Sequence, residues 1–175
     1  MRVVTSMACV LGVLLAGCTA TPPSEPRELV HTTTTPAPTG LMSRKEAGEH
    51  YLQIVEPINQ AQDRCVEASS PIFEGSWIPS GEEAMLARIR EACQGTVDAN
   101  LKFIDELEAA RWPAEAQSAI DDLLVLSYAL QLPFTRFAEA QTVDDVYKAD
   151  ETFPEVGEEA NLVRARLGLP EVGEK

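Results

Sequence analysis

The stretch SRKEAGEHYLQIVEPINQAQDRCVEA, Ser43 to Ala68, decides the fold class. Ser43 followed by Glu46 is a capping box, in which each side chain satisfies a backbone N–H at the start of a helix. Ala47, Tyr51, Ile54, Ile58, Ala61 and Cys65 then recur at spacings of three and four, which stacks them on one face of a helix. Pro57 falls inside that stripe and predicts a kink, because its ring crowds the carbonyl of Gln53. A first helix is expected from Arg44 to Ala68. Beyond Gly40 no segment alternates with period two for long, so the class is all-α.

The segment SSPIFEGSWIPS carries Pro71, Gly75 and Pro79 and reads as an irregular connection. Its apolar members Ile72, Phe73, Trp77 and Ile78 are expected to fold onto the end of the bundle. Ser80 with Glu83 suggests a second capping box. Met85, Leu86, Ile89, Ala92, Cys93, Thr96, Val97, Leu101, Phe103, Ile104 and Leu107 then form a broad core-facing stripe. That places a second helix over 81–110.

Trp112 and Pro113 mark the next junction, since the residue before proline is pushed out of helical geometry. A third helix follows with Ala116, Ile120, Leu123, Leu124, Ser127 and Leu130 inward, is kinked at Pro133, and runs on through Phe134, Phe137 and Ala138 to about Gln141. Thr142 caps a fourth helix whose stripe is Val143, Val146, Tyr147, Phe153, Ala160, Val163 and Leu167, with Pro154 and Gly157 weakening its middle. Gly168 and Pro170 end it. Four such stripes are buried most simply by an antiparallel four-helix bundle over 43–170, with 171–175 as a C-terminal tail.

Outward from the bundle, residues 18–42 form a tether dense in Pro and Thr. Such a segment favours extended polyproline II, and Thr32 to Thr35 beside Pro36 and Pro38 offer sites for O-glycosylation. His31 lies here and is read as incidental. Before the tether, Arg2 supplies a positive charge, Val3 to Leu15 an apolar run, and Leu14, Leu15, Ala16, Gly17, Cys18 a string of small and apolar residues ending in cysteine. The run is shorter than the roughly 20 residues a spanning helix needs.

This N-terminal pattern resembles the lipobox of bacterial lipoproteins. The resemblance implies that 1–17 is a signal peptide removed on export. Cys18 would then become the mature N-terminus, carrying a diacylglycerol thioether and an amide-linked palmitate or similar chain. Two or more chains hold a protein on a bilayer, each buried CH₂ contributing about 0.8 kcal/mol. Ala richness, Arg in excess of Lys and the Thr/Pro tether resemble the small surface lipoproteins of actinobacteria. That resemblance covers 1–40 specifically, implies location at the outer face of the cell membrane, and carries over no active-site residue.

Cys9 leaves with the leader and Cys18 is lipidated, so Cys65 and Cys93 remain as an exported pair, which predicts a disulfide. With the first helix ending near Cys65 and Cys93 about 18 Å into the second, the bond would require the second helix to overhang the first. The chain has a formal net charge of −14, and Arg2 is the leader's sole charged residue, so the mature body is one unit more acidic. Such a surface repels nucleic acid and an anionic bilayer face.

The search for chemistry finds little. The bundle holds one histidine, His50, sharing a helix face with Glu46 but without the paired ExxH motifs of di-iron bundles. No GxSxG elbow or phosphate-binding glycine loop is present in the sequence. The acidic pairs Glu82/Glu83, Asp121/Asp122, Asp144/Asp145 and Glu158/Glu159 suit helix starts and solvated faces. Asn59, Asn100 and Ser127 are candidates for hydrogen bonds across the core. Trp77 and Trp112, beside prolines at junctions, are candidate partner contacts, although end-capping is the commoner use of such residues. No cofactor, metal or enzymatic activity is expected. The expected role is binding of another envelope component, a protein partner above all. The alternative is carriage of a small apolar ligand or lipid between helices splayed at Pro57, Gly95, Pro133 and Pro154.

Overall fold

The computed structural model describes residues 40–76, 79–154 and 158–171. The expected signal peptide 1–17, Cys18, the expected tether up to residue 39, Trp77, Ile78, residues 155–157 with Gly157, and residues 172–175 lie outside the described residues. Those described are all-helical and without strands: α1 (Arg44–Phe73), α2 (Glu82–Ala109), α3 (Ala114–Glu139), α4 (Val143–Asp150) and α5 (Glu159–Leu167). A 3-10 turn, Pro79–Gly81, leads into α2.

The capping box at Ser43 forms, with Ser43 N–H on the Glu46 carboxylate at 2.9 Å and Glu46 N–H on Ser43 Oγ at 3.3 Å. α1 then passes the expected end at Ala68 and carries Pro71 within it. Pro71 has no N–H for the Glu67 carbonyl, and nearby hydroxyls bond back along the helix: Ser69 Oγ to Cys65 O at 2.9 Å and Ser70 Oγ to Val66 O at 2.8 Å. Ile72 is what the extra turn gains, because it is buried among Met85, Leu86 and Ile89. Burying one such side chain contributes about 2 kcal/mol, against a proline cost of about 3 kcal/mol in a helix interior.

The longer α1 changes how the cysteines meet. Cys65 and Cys93 are bonded, with their Cα atoms 4.7 Å apart. Cys65 lies eight residues before the end of α1 and Cys93 eleven after the start of α2, about 12 Å and 17 Å along their axes. The expected overhang of α2 therefore shrinks to about one helical turn. Thr96 Oγ1 donates to Ala61 O at 2.9 Å one turn further along, in the order that an antiparallel pair requires.

Three other expectations are corrected. The Ser80/Glu83 box does not form: Gly81 is the N-cap with no side-chain bond, and Glu83 pairs instead with Arg90 at 2.9 Å. Leu101 is 47% exposed rather than part of the core. The fourth helix over 143–167 is two helices, α4 and α5, with Pro154 between them, so five helices are described where four were expected. Thr142 caps α4 with Asp145 as reciprocal partner, and Gly168 ends α5 at φ 74°. α3 stays continuous through buried Pro133.

α2 packs against both α1 and α3, while α4 and α5 lie against α3. The core divides accordingly. One cluster joins Ala47, Tyr51, Phe103, Leu107, Trp112, Ile120 and Val163 at the α5 end. The other joins Cys65, Ile72, Leu86, Cys93, Phe137, Val146 and Ala149 at the α4 end.

Candidate functional site

Each candidate side chain finds a definite place. Trp112, offered as a partner contact, is 1% exposed, and its indole N–H donates to Leu107 O at 2.8 Å. It closes the end of the bundle and presents nothing to a partner. The backbone beside it is tied down by Met42 N–H on Arg111 O at 2.9 Å. The His50 ring lies 5.5 Å from the Trp112 ring, whereas Glu46 is committed to the Ser43 cap, which holds its carboxyl below the usual carboxylate range. The two do not form a site. Among the described residues no group of three His, Cys, Asp or Glu side chains converges as a metal centre.

Of the three core amides and hydroxyls, Asn59 is exposed, while Asn100 and Ser127 meet. Asn100 Nδ2 donates to Ser127 O at 2.9 Å and to Gln131 Oε1 at 2.7 Å, and Ser127 Oγ donates to Leu123 O at 2.8 Å. These bonds register α2 against α3 and leave no vacant donor aimed at a ligand. Tyr51 is buried as expected, and burial pushes its phenol up to about 12, with Arg164 pulling the other way.

Of the acidic pairs, Asp144/Asp145 is engaged at the start of α4. Bonding to the Thr142 side chain first, then to Gln141 N–H at 3.1 Å and Thr142 N–H at 2.9 Å, holds the Asp145 carboxyl low, and Asp144 pairs with Lys148. Two grooves are open to solvent. One, about 660 Å³, lies between the end of α3 and α4 and is lined by Arg136, Glu139, Asp145, Lys148 and Glu151 among others. The second, about 510 Å³, lies between α3 and α5, where Val125, Leu126, Ala129, Pro154 and Leu162 give it an apolar wall.

The feature that the sequence reading missed is on the outer, solvent-facing side of α3. Val125 is 71% exposed, Tyr128 54% and Leu132 54%, at the three-and-four spacing that puts them in one row. Leu101 lies seven residues before Glu108, on the same side of α2, and Glu108 accepts the Tyr128 hydroxyl, so Leu101 faces the α3 side. On the same side of α2, one and two turns on, stand Asp105 and Glu108. Tyr128 Oη donates to Glu108, and that bond, with partial desolvation and the charges of Glu108 and Asp105, raises the phenol above its ordinary value. The row has helical spacing and was legible in principle. It was hidden by the adjacent core row Ile120, Leu123, Ser127, which accounts for the apolar content of α3 without it.

The described residues form an all-helical, disulfide-closed body with an exposed apolar row. No protein-family model matches the chain, and no curated protein or solved structure matches it. No described helix is long and apolar enough to cross a membrane.

Proposed function

We propose that the protein is a non-enzymatic lipoprotein, moored at the outer face of the cell membrane through acylated Cys18, whose helical body binds another protein of the envelope. In this reading the body is an antiparallel four-layer bundle, with α4 and α5 sharing the fourth layer. The observation that carries the reading is the Cys65–Cys93 bond in a chain whose N-terminus reads LAGC. Disulfides persist in oxidising compartments outside the cytoplasm, which is where a lipobox would deliver the chain.

The test is Cys18→Ala in cells fed an alkyne analogue of palmitate. Wild type is expected to take up the label and sediment with membranes, while the variant stays unlabelled and is released or mislocalised with its helical content unchanged. Equal membrane fractionation of the two would defeat the proposal.

The apolar groove between α3 and α5 favours a second reading, carriage of a small apolar ligand. Its volume of about 510 Å³ suits one, although it opens on solvent rather than enclosing its contents. Nile red separates the two: carriage requires saturable enhancement of its fluorescence that Leu126→Asp abolishes, and the protein-binding reading requires none.

A further inference from the structure

We propose that the row Leu101, Val125, Tyr128 and Leu132 is the surface on which the envelope partner docks, and that this partner is a protein presenting an apolar ridge flanked at one end by basic side chains. The inference rests on the protein-binding reading above and deepens it.

Four large apolar side chains stand exposed on two packed helices, three of them in one row of α3, where scattered single ones would need no explanation. Their ends differ in charge. Asp105, Glu108 and Asp121 gather at the end where α3 starts, Asp121 lying one turn before Val125 in the same row. Arg136, one turn beyond Leu132, stands at the other end, followed by Glu139. Lys102 turns about 100° away from Leu101 round α2. The Tyr128 hydroxyl, donating to Glu108, ties the row to that acidic end.

This polarity selects among occupants. A second copy would bring its own carboxylates against these, and the chain's net charge of −14 opposes it at long range as well. An anionic lipid surface meets the same repulsion. A ridge with Lys or Arg near Glu108 satisfies both the apolar row and its acidic end. Complementary charge of this kind acts chiefly on the rate of encounter and on register.

The experiment uses the full-length acylated chain in intact cells, with a photoreactive phenylalanine analogue placed at Leu101 or Leu132. Leu52 on α1 and Tyr147 on α4, exposed elsewhere, are the control positions. Expected is a protein adduct from the row positions, of basic composition by mass spectrometry. The double variant Asp105→Lys, Glu108→Lys should cut its yield about tenfold, with circular dichroism unchanged and the adduct from the control positions unaffected. Adducts from Leu52 or Tyr147 alone would overturn this surface and leave the protein-binding reading standing. A lipid adduct, or a dimer of this chain, would overturn the proposed partner. Absence of any adduct from all four positions in correctly acylated protein would overturn both readings.

Discussion

Trp112 illustrates what a single residue contributes here: one indole, fully buried with its N–H bonded, seals the cluster that holds Tyr51, Leu107 and Ile120. Trp112→Ala is expected to cost about 3–5 kcal/mol, because the lost contacts leave a cavity and Leu107 O loses its partner. Urea unfolding followed by far-UV circular dichroism measures this, and a loss below about 1 kcal/mol would mean that the side chain is dispensable packing. Gly48 is a subtler case. A Cβ there would lie 3.3 Å from Leu169 Cδ2 and 3.5 Å from Leu167 O, so the glycine lets the end of α5 close on α1. Gly48→Ala should be nearly neutral, the tight contact offsetting a helix-propensity gain of about 1 kcal/mol. Gly48→Leu should destabilise by about 1–3 kcal/mol, since the added atoms have nowhere to go. Equal melting temperatures for Gly48→Leu and wild type would show that the segment lifts away freely. The sequence offers Trp112 both as a partner contact and as an end-cap, and burial decides for the second, whereas Gly48 needs Leu169, far away in the chain, to acquire a reason.

At the scale of elements, what the sequence encodes locally is realised locally. The Ser43 and Thr142 caps, the stripe from Ala47 to Cys65 and the left-handed Gly168 stop each depend on residues within a turn or two. What depends on burial was not legible. Pro71 reads as the end of a helix until Ile72 is seen buried against α2, and Leu101 reads as core until it is seen to lie 47% exposed. The α4 cap gives a prediction with a definite sign. Asp145 is held below its ordinary range by bonding to the Thr142 side chain and to the Gln141 and Thr142 N–H groups, so its stabilising effect is full above the unfolded carboxylate value, roughly pH 4, and is lost as pH falls through the lower folded value. Asp150, raised by burial, runs the other way: its charged form costs stability at neutral pH, and acid relieves that cost. Comparing wild type with Asp145→Asn isolates the first. The variant should melt lower at about pH 7, and the gap should narrow as pH falls below about 4 and through the folded value. A gap unchanged across that range would show that the cap acts by geometry alone.

For the whole molecule, the decisive fact is that two core clusters share three long helices but differ in what fills them. The α5 end holds Trp112, Tyr51 and Phe103, whereas the α4 end relies on aliphatic side chains, Phe137 and the disulfide. A cross-link separated by 28 residues stabilises by about 3–4 kcal/mol through the unfolded chain, so its loss removes a large share of a typical domain's net stability. Cys65→Ser and Cys93→Ser should therefore fall in melting temperature by similar amounts, each breaking the same bond. The damage should also be uneven. With the bond gone, the last turns of α1 and the first of α2 keep Ile72, Met85, Leu86 and Ile89 as their main apolar contacts, and α4 rests on that end through Val146, Ala149 and the Tyr147 bond to Ile72 O at 3.1 Å. Local opening follows the regions with least buried apolar contact. Amide exchange in the Cys65→Ser, Cys93→Ser double variant should rise first in α4 and the start of α2, while α5 and the end of α2 keep their protection. Uniform acceleration through all five helices would show a single cooperative body, and would place the disulfide's effect entirely in the unfolded chain.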